Sequence, residues 1–455
     1  MKWKFGLAVL LSVGMAAAQT SDGLTERTQR YLIDMIRLQT VNPPGNESRV
    51  ARYLKQVADA EGIPCELLGP DPDRLNFVAR LKSSGEARPL LIMAHSDVVP
   101  ADPTQWSVDP FAAEIRDGFL YGRGTQDTLG LLAAEMSVLV ELKRRGVPLK
   151  RDVILLAEAD EEAGSTGIQW LIENAWPKID AEFALNEAGY VLDTRTGTRV
   201  FHVQTSEKIP SRVILTARGT AGHGSLPRPD NPVVHLARAI AKLADADQPV
   251  RLNTTTRRYF QTVAKIPEYD WLQPHLARME NASTANAIRE REPELNAMLR
   301  TTVSPTMLSA GVKINVIPNA AEAQVDVRRL PNESFEEVLD RFRKIVNDDA
   351  VEIAGAGGQQ MPATEPSSLT TELYLAMDRV LSRSSERAVV VPYMGRGATD
   401  GAFLRAKGMA VYGVPVFERE ASGSRAHGND ERIALTNLDN GARLLLDIVL
   451  EAVRK

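Results

Sequence analysis

Two unbroken apolar runs, Leu90-Leu-Ile-Met-Ala94 and Val153-Ile-Leu-Leu156, constrain the fold of this chain more than any other feature. Neither alternates with polar residues, so each is expected as a strand covered on both faces. Such strands need helices on either side of the sheet, and the chain supplies them in alternation. Tyr31, Leu32, Ile36 and Leu38 form a helical stripe from about Leu24 that stops before the breakers Asn42-Pro-Pro-Gly45. Glu47 to Ala60 is a second helical pattern ended by Gly62, and a long helix over about 130–145 is closed by Gly146 and Pro148. Strands are expected at about 64–68, 76–82, 90–95 and 152–159.

Near residue 209 the pattern changes. Arg212 to Arg218 and Ala323 to Arg328 alternate like half-exposed strands, and helices are expected after Asn231-Pro232 and over Phe335 to Val346. Residues 250–300 are polar, Arg-rich and weakly periodic, and no element is assigned to them. From about 360 the earlier style returns, with a helix at 369–383, a strand at 388–391 and a closing helix at 436–453. The expected partition is a leader at 1–18, a catalytic α/β domain at 19–208 and 359–455, and an α+β domain at 209–358 inserted into it.

The 455 residues exceed one ordinary core, in keeping with two domains. A net charge of −5 with no long basic run argues against a nucleic-acid partner. Lys2 and Lys4, the apolar run Phe5 to Val13 and Ala16-Ala-Ala18 have the layout of a cleaved signal peptide. The expectation is a secreted or periplasmic protein with no membrane segment after cleavage. Cys65 is the one cysteine, so an internal disulfide is excluded and a structural thiol is expected.

Chemistry-bearing residues stand where strands end, the usual place for sites in open α/β sheets. His95-Ser-Asp97 follows the first apolar run; its imidazole can take a metal, with Asp97 orienting the ring, or it can be a capped turn. Gly122-Arg-Gly-Thr-Gln-Asp127 brings Asp127 to the mouth of a helix, as an N-cap or as a carboxylate bridging two cations. Asp160-Glu-Glu-Ala-Gly164 follows the second run, as a solvated acidic turn or as two carboxylates with different tasks. Glu187 follows the short strand Glu182 to Leu185, and His427 lies in a Gly/Ser-rich loop. His95, Asp127, Glu162, Glu187 and His427 make a mixed nitrogen and oxygen set suited to zinc or a similar ion. Five ligands fit two metals sharing one carboxylate at about 3.5–4 Å.

In order and local sequence these segments resemble the co-catalytic zinc hydrolases, metallopeptidase family twenty, that include bacterial glutamate carboxypeptidase, aminoacylase, succinyl-diaminopimelate desuccinylase and carnosinase. The resemblance runs from about residue 24 to the C-terminus. It implies a phosphorylase/hydrolase-like α/β zinc peptidase domain with a mixed sheet and flanking helices, plus an inserted α+β, ferredoxin-like lid and dimerisation domain. It implies that His95 and Glu187 hold one zinc, Glu162 and His427 the other, and Asp127 bridges them, with cobalt or manganese as alternative occupants. Asp97 would orient His95 and Glu161 would be the general base. A cis peptide often follows the bridging Asp in the family, commonly before a second acid; here Thr128 follows. His223, in Gly219-Thr-Ala-Gly-His-Gly-Ser225, would steady the oxyanion, often from the neighbouring subunit. Asn315 and Arg328 would grip a substrate carboxylate, and Gly397 and Thr399, in Gly397-Ala-Thr-Asp-Gly401, would bind substrate. His202, His235 and His275 match nothing.

The implied enzyme is a secreted di-zinc exopeptidase of carboxypeptidase or dipeptidase type, acting on a peptide with a free C-terminal carboxylate, as a monomer or a homodimer through the inserted domain. The alternative is an N-acyl-amino-acid amidohydrolase. A serine hydrolase fits poorly, because Gly222-His-Gly-Ser-Leu226 lacks the nucleophile-elbow pattern. A binding protein that kept the fold is disfavoured by the full set of ligands and base.

Overall fold

The computed structural model describes residues 11–357 and 361–455, with side-chain positions from Gly23 onward. The start of the expected leader, with Lys2, Lys4 and Phe5, lies outside the described residues. The chain forms two compact units, one of Met1–Val203, Ser368–Val390 and Gly408–Lys455, the other of Gln204–Ser367 and Val391–Lys407.

The first unit opens with α1 (Leu11–Arg37), which begins earlier than the apolar stripe alone indicated. The helix runs back through Met15, Ala16, Ala17 and Ala18, which are good helix formers ahead of the stripe. The breakers after it contain two cis peptide bonds, Asn42-Pro43 and Pro43-Pro44. There follow α2 (Ser48–Ala60), β1 (Cys65–Leu68), β2 (Asn76–Leu81), β3 (Ala87–His95), β4 (Glu114–Arg116) and β5 (Phe119–Tyr121). Then come α3 (Leu129–Arg145), β6 (Arg151–Glu158), α4 (Thr166–Asn174), α5 (Trp176–Ile179), β7 (Phe183–Asn186), β8 (Tyr190–Asp193) and β9 (Arg199–Glu207).

The main sheet has nine strands and is mixed. Its order is β1-β2-β6-β3-β7-β17-β9-β16, with β8 beside β9, where β16 is Ala388–Gly395 and β17 is Ala410–Gly413. β1 and β2 run antiparallel to their neighbours, while β6, β3, β7 and β17 are parallel to one another. The two apolar runs are therefore adjacent central strands, Leu90 to His95 and Val153 to Glu158 all buried. Helix α3, buried from Leu129 to Leu142, packs on both. The later helices α11 (Glu372–Arg383) and α13 (Leu435–Val453) pack on each other and on the same core. α11 starts three residues later than its apolar pattern, because the Thr371 hydroxyl caps it by accepting from the Tyr374 N–H. Strand β17 was not read from the sequence.

The second unit reads β10 (Ile209–Arg218), β11 (Gly222–His223), α6 (Pro232–Asp245), α7 (Thr254–Val263), α8 (Ala282–Arg291), α9 (Pro293–Ala297), β12 (Thr302–Ala310), β13 (Val316–Ile317), β14 (Ala320–Arg329), α10 (Phe335–Val346) and β15 (Val351–Gly355), with α12 (Gly401–Ala406) added late. Four of its strands form an antiparallel sheet in the order β12-β14-β10-β15. With α6 between β10 and β12 and α10 between β14 and β15, this is the ferredoxin-like connectivity. Val213, Leu215, Val325 and Val327 lie on the buried face with Leu236 of α6 and Phe342 of α10. The unassigned stretch 250–300 is mostly short helices, and its first, α7, is fastened by a capping box of Asn253 and Thr256.

Candidate metal centre

The parallel strands point their carboxyl ends the same way, so whatever follows β3, β6 and β7 gathers at one edge. His95 is the last residue of β3, Glu161 and Glu162 follow β6, and Glu187 follows β7. Gly189 lets that last turn close. A Cβ there would come within 2.4 Å of the Gly413 carbonyl oxygen at the end of β17. Asp127 arrives from the loop ahead of α3, where Gly124 at φ +92° makes the tight turn. A cis peptide joins Asp127 to Thr128. Thr128 takes the N-cap position of α3, so the Asp127 carboxylate is left for other work.

That carboxylate reaches both imidazoles. His95 Nε2 is 3.0 Å from Asp127 Oδ1, and His427 Nε2 is 3.1 Å from Asp127 Oδ2. His95 Nε2 lies 3.9 Å from Glu187 Oε2, and His427 Nε2 lies 3.1 Å from Glu162 Oε1. Two triads result, His95–Asp127–Glu187 and Asp127–Glu162–His427, each with its ligand atoms within 4.8 Å of one another. Glu161 shares a further close group with His95 and Glu162.

The donors suit divalent cations. His95 Nδ1 lies 2.9 Å from the Asp97 carbonyl oxygen, so a proton held there leaves the Nε2 lone pair facing the carboxylates. Burial opposes a charge on His95, yet the charge of Glu187 and hydrogen bonds to Asp127 and Asp97 raise its pKa well above the ordinary value. Hydrogen bonds to Asp127 and Glu162 raise His427 to about 10. Burial would lift Asp127, but the two imidazoles hold it below the usual carboxylate range. The clustered carboxylates thus draw protons onto both rings, a demand for positive charge that metal cations meet.

Asp97 does more than the sequence indicated. Its carboxylate lies 3.5 Å from His95 Nδ1, and its main-chain carbonyl makes the closer contact with the ring. The buried carboxylate accepts from the backbone N–H of Glu161 at 3.2 Å and of Glu162 at 3.1 Å. It ties the His95 loop to the Glu161–Glu162 turn. Glu431 does the same on the other side, a role not read from the sequence. Fully buried, it accepts from Arg123 Nη1 at 2.7 Å and from the N–H groups of Gly124, Gln126 and Asp127 at 3.1, 2.7 and 3.2 Å. Its signal was its place four residues after His427 in His427-Gly-Asn-Asp-Glu431.

The remaining candidates belong to the second unit. His223 and Asn315 are brought together there, since β11 and β13 pair with His223 opposite Val316, and the Gly224 N–H donates to the Asn315 carbonyl at 2.8 Å. His223 Nδ1 accepts from the Ser225 N–H at 3.1 Å, which leaves the ring proton on Nε2. Arg328, on β14, directs Nε at both oxygens of Asp326, at 3.1 and 3.2 Å. Gly397 is exposed, whereas Thr399 is buried and its hydroxyl donates to Glu207 Oε2 at 3.0 Å. Of the histidines without a role, His202 is buried and stacked on Tyr190 at 4.2 Å, and His235 meets Asp348 at 2.6 Å.

The family model described as peptidase family M20/M25/M40 matches residues 91–451. The N-fatty-acyl-amino acid synthase/hydrolase PM20D1 of Xenopus tropicalis is 30% identical over 444 residues, covering 90% of this chain and 84% of that protein. Its Homo sapiens counterpart is 28% identical, covering 81% and 75%. Among solved structures, the M20 family metallo-carboxypeptidase Sso-CP2 from Sulfolobus solfataricus aligns with a TM-score of 0.72 at 22% identity, covering 93% of this chain and 98% of that one.

Proposed function

The chain belongs to the M20/M25/M40 peptidase family and is a metal-dependent hydrolase, and from that premise we propose that it cleaves an amide bond whose nitrogen belongs to an amino acid with a free carboxylate. The observation that carries the reading is the sharing of Asp127 by two ligand triads, with Glu161 beside them. His95 and Glu187 would hold one zinc ion and Glu162 and His427 the other, with Asp127 between; such donors also accept cobalt or manganese. Bound there, the two cations would supply Lewis acidity and a water of lowered pKa. Glu161 takes a proton from the attacking water and returns it to the leaving nitrogen. His223, with its proton on Nε2, donates to the substrate oxygen as charge grows on it. Arg328 and Asn315 supply the donors for the carboxylate, a guanidinium being suited to two-point recognition.

On the acyl side there are two readings. A peptide is the one expected from sequence and makes the protein a carboxypeptidase or dipeptidase. An N-acyl group makes it an amidohydrolase, and the similarity to N-fatty-acyl-amino acid hydrolases over most of the chain favours this second reading. Export to the periplasm or medium rests on the leader pattern. Among the described residues no helix is long and apolar enough to cross a membrane. The second unit, as lid and dimerisation domain, is supported by its edge strand β12, which leaves Met307 and Leu308 exposed.

The test is a panel of dipeptides and N-acyl amino acids of increasing chain length, assayed with metal-reconstituted protein. Turnover abolished by a chelator, restored by zinc and untouched by a serine-directed reagent is the expected pattern. Equal rates on carboxylate and carboxamide substrates would remove the carboxylate requirement. No turnover of any member would remove the reading.

A further inference from the structure

Behind the Glu161–Glu162 turn lies a buried network that meets the proposed metal ligands only through Asp97. The carboxylates of Glu47, Asp97 and Asp160 come within 4.8 Å of one another, all buried. Such a group is stable only when hydrogen-bonded and charge-compensated. Two side chains provide this. Asn42 Nδ2 donates to Asp97 Oδ2 at 2.7 Å and to Asp160 Oδ1 at 2.9 Å. Arg74 Nη2 donates to Glu47 Oε1 at 2.6 Å and to Asp160 Oδ1 at 2.7 Å, while its Nε donates to Glu47 Oε2 at 3.2 Å. The guanidinium lies in a built cradle. Gly45, at φ +108°, passes so close that a Cβ would sit 2.5 Å from Arg74 Nε.

The residue all of these hold is Asp160, immediately ahead of Glu161. Its backbone is left-handed at φ +68°, which a non-glycine residue adopts only when its surroundings impose it. Its other carboxylate oxygen accepts from Thr166 N–H at 3.3 Å, and its carbonyl accepts from Gly164 N–H at 3.2 Å. The direction in which the chain leaves Asp160 sets where Glu161 points.

Resting on the amide-hydrolysis reading above, we propose that Arg74 is a positioning residue: through Asp160 and with Asn42 it holds the turn in the conformation that aims Glu161 at the attacking water. Arg74 touches neither the ligands nor the substrate donors, so its loss acts on the proton-transfer step. The experiment compares R74M, R74K and D160N with E161Q and with the R74M/E161Q double variant, by steady-state kinetics and elemental analysis. D160N keeps a side chain that tolerates the left-handed backbone, so it reports even where R74M folds poorly. R74M and D160N are expected to lower kcat about 10–100-fold, as loss of an orienting partner does. KM and a content of two metals per chain should be unchanged, and R74K should recover part of the loss. In the double variant, R74M should add nothing to the deficit of E161Q. Multiplying losses, a fall in metal content matching the fall in rate, or wild-type kcat in both R74M and D160N would each overturn the inference. Wild-type protein inactive on the whole panel would overturn the amide-hydrolysis reading and this inference with it.

Discussion

The strand-end cluster of the first unit and the His223 ribbon of the second are held in opposite ways. Around His95, Asp127 and Glu162, each loop is gripped by a buried carboxylate accepting backbone N–H groups, Asp97 on one side and Glu431 on the other. His223 and Asn315 stand on two short paired strands, His223 exposed and tied to Ser225 two residues away. The first region is preorganised by long-range contacts to two buried carboxylates. The second is anchored locally. The contrast is between donors fixed by contacts from across the sequence and a histidine fixed by its own near neighbours.

The largest effect should come from the rigid region without disturbing it. E161Q should lower kcat by about 10²–10⁴-fold, the usual worth of a general base, with both metals retained on elemental analysis. Near-normal turnover would take the base out of this cluster. H223A should lower kcat/KM by about 10²–10³-fold, the range for an oxyanion donor, and leave metal content untouched. If metal is lost instead, the two regions are not separable as drawn. Mixing H223A with E161Q protein and regaining activity would show that the ribbon serves a neighbouring copy.

E431Q sharpens the comparison from the other end. It replaces a carboxylate that accepts from Arg123 and three N–H groups with an amide able to match only some of them. Metal affinity should fall about 10–100-fold in competition with a chelator, whereas substrate KM at saturating metal should hold. Unchanged affinity would mean that Asp127 is positioned without Glu431.

The smallest effect is on stability. Glu135, on α3, is fully buried, and burial raises its pKa well above the ordinary value, with the charge of Glu187 adding to the rise. The folded chain therefore binds this proton more tightly than the unfolded chain. Stability from this group is complete below the ordinary glutamate pKa and declines as pH rises above it toward the folded-state value. E135Q should remove that decline. Relative to wild type, its melting temperature should rise by roughly 2–4 °C at pH 8, with little change at pH 4.5. An equal shift at both pH values would show that the glutamate is paired rather than merely buried.

Much of this arrangement was legible in the sequence, for a local reason. The apolar runs at 90–94 and 153–156 mark central strands because periodicity is set by neighbouring residues, and the residues that follow such strands must emerge at the sheet's carboxyl edge. That made His95, Glu161, Glu162 and Glu187 visible as a group. Asn42 was legible only as part of a breaker cluster, Arg74 not at all, and Glu431 as a motif member without a task. Strand β17, between β7 and β9, was not read from the sequence.

The sequence by itself determined the alternating α/β layers and the kinds of donor available for metal, since these follow from residue type and spacing. Only the tertiary structure shows which of these donors meet. His427 meets Glu162 across 265 residues, and Glu431 receives the Asp127 N–H across 304. Direction at such range is set by packing and by buried carboxylates seeking donors, and no local pattern encodes either.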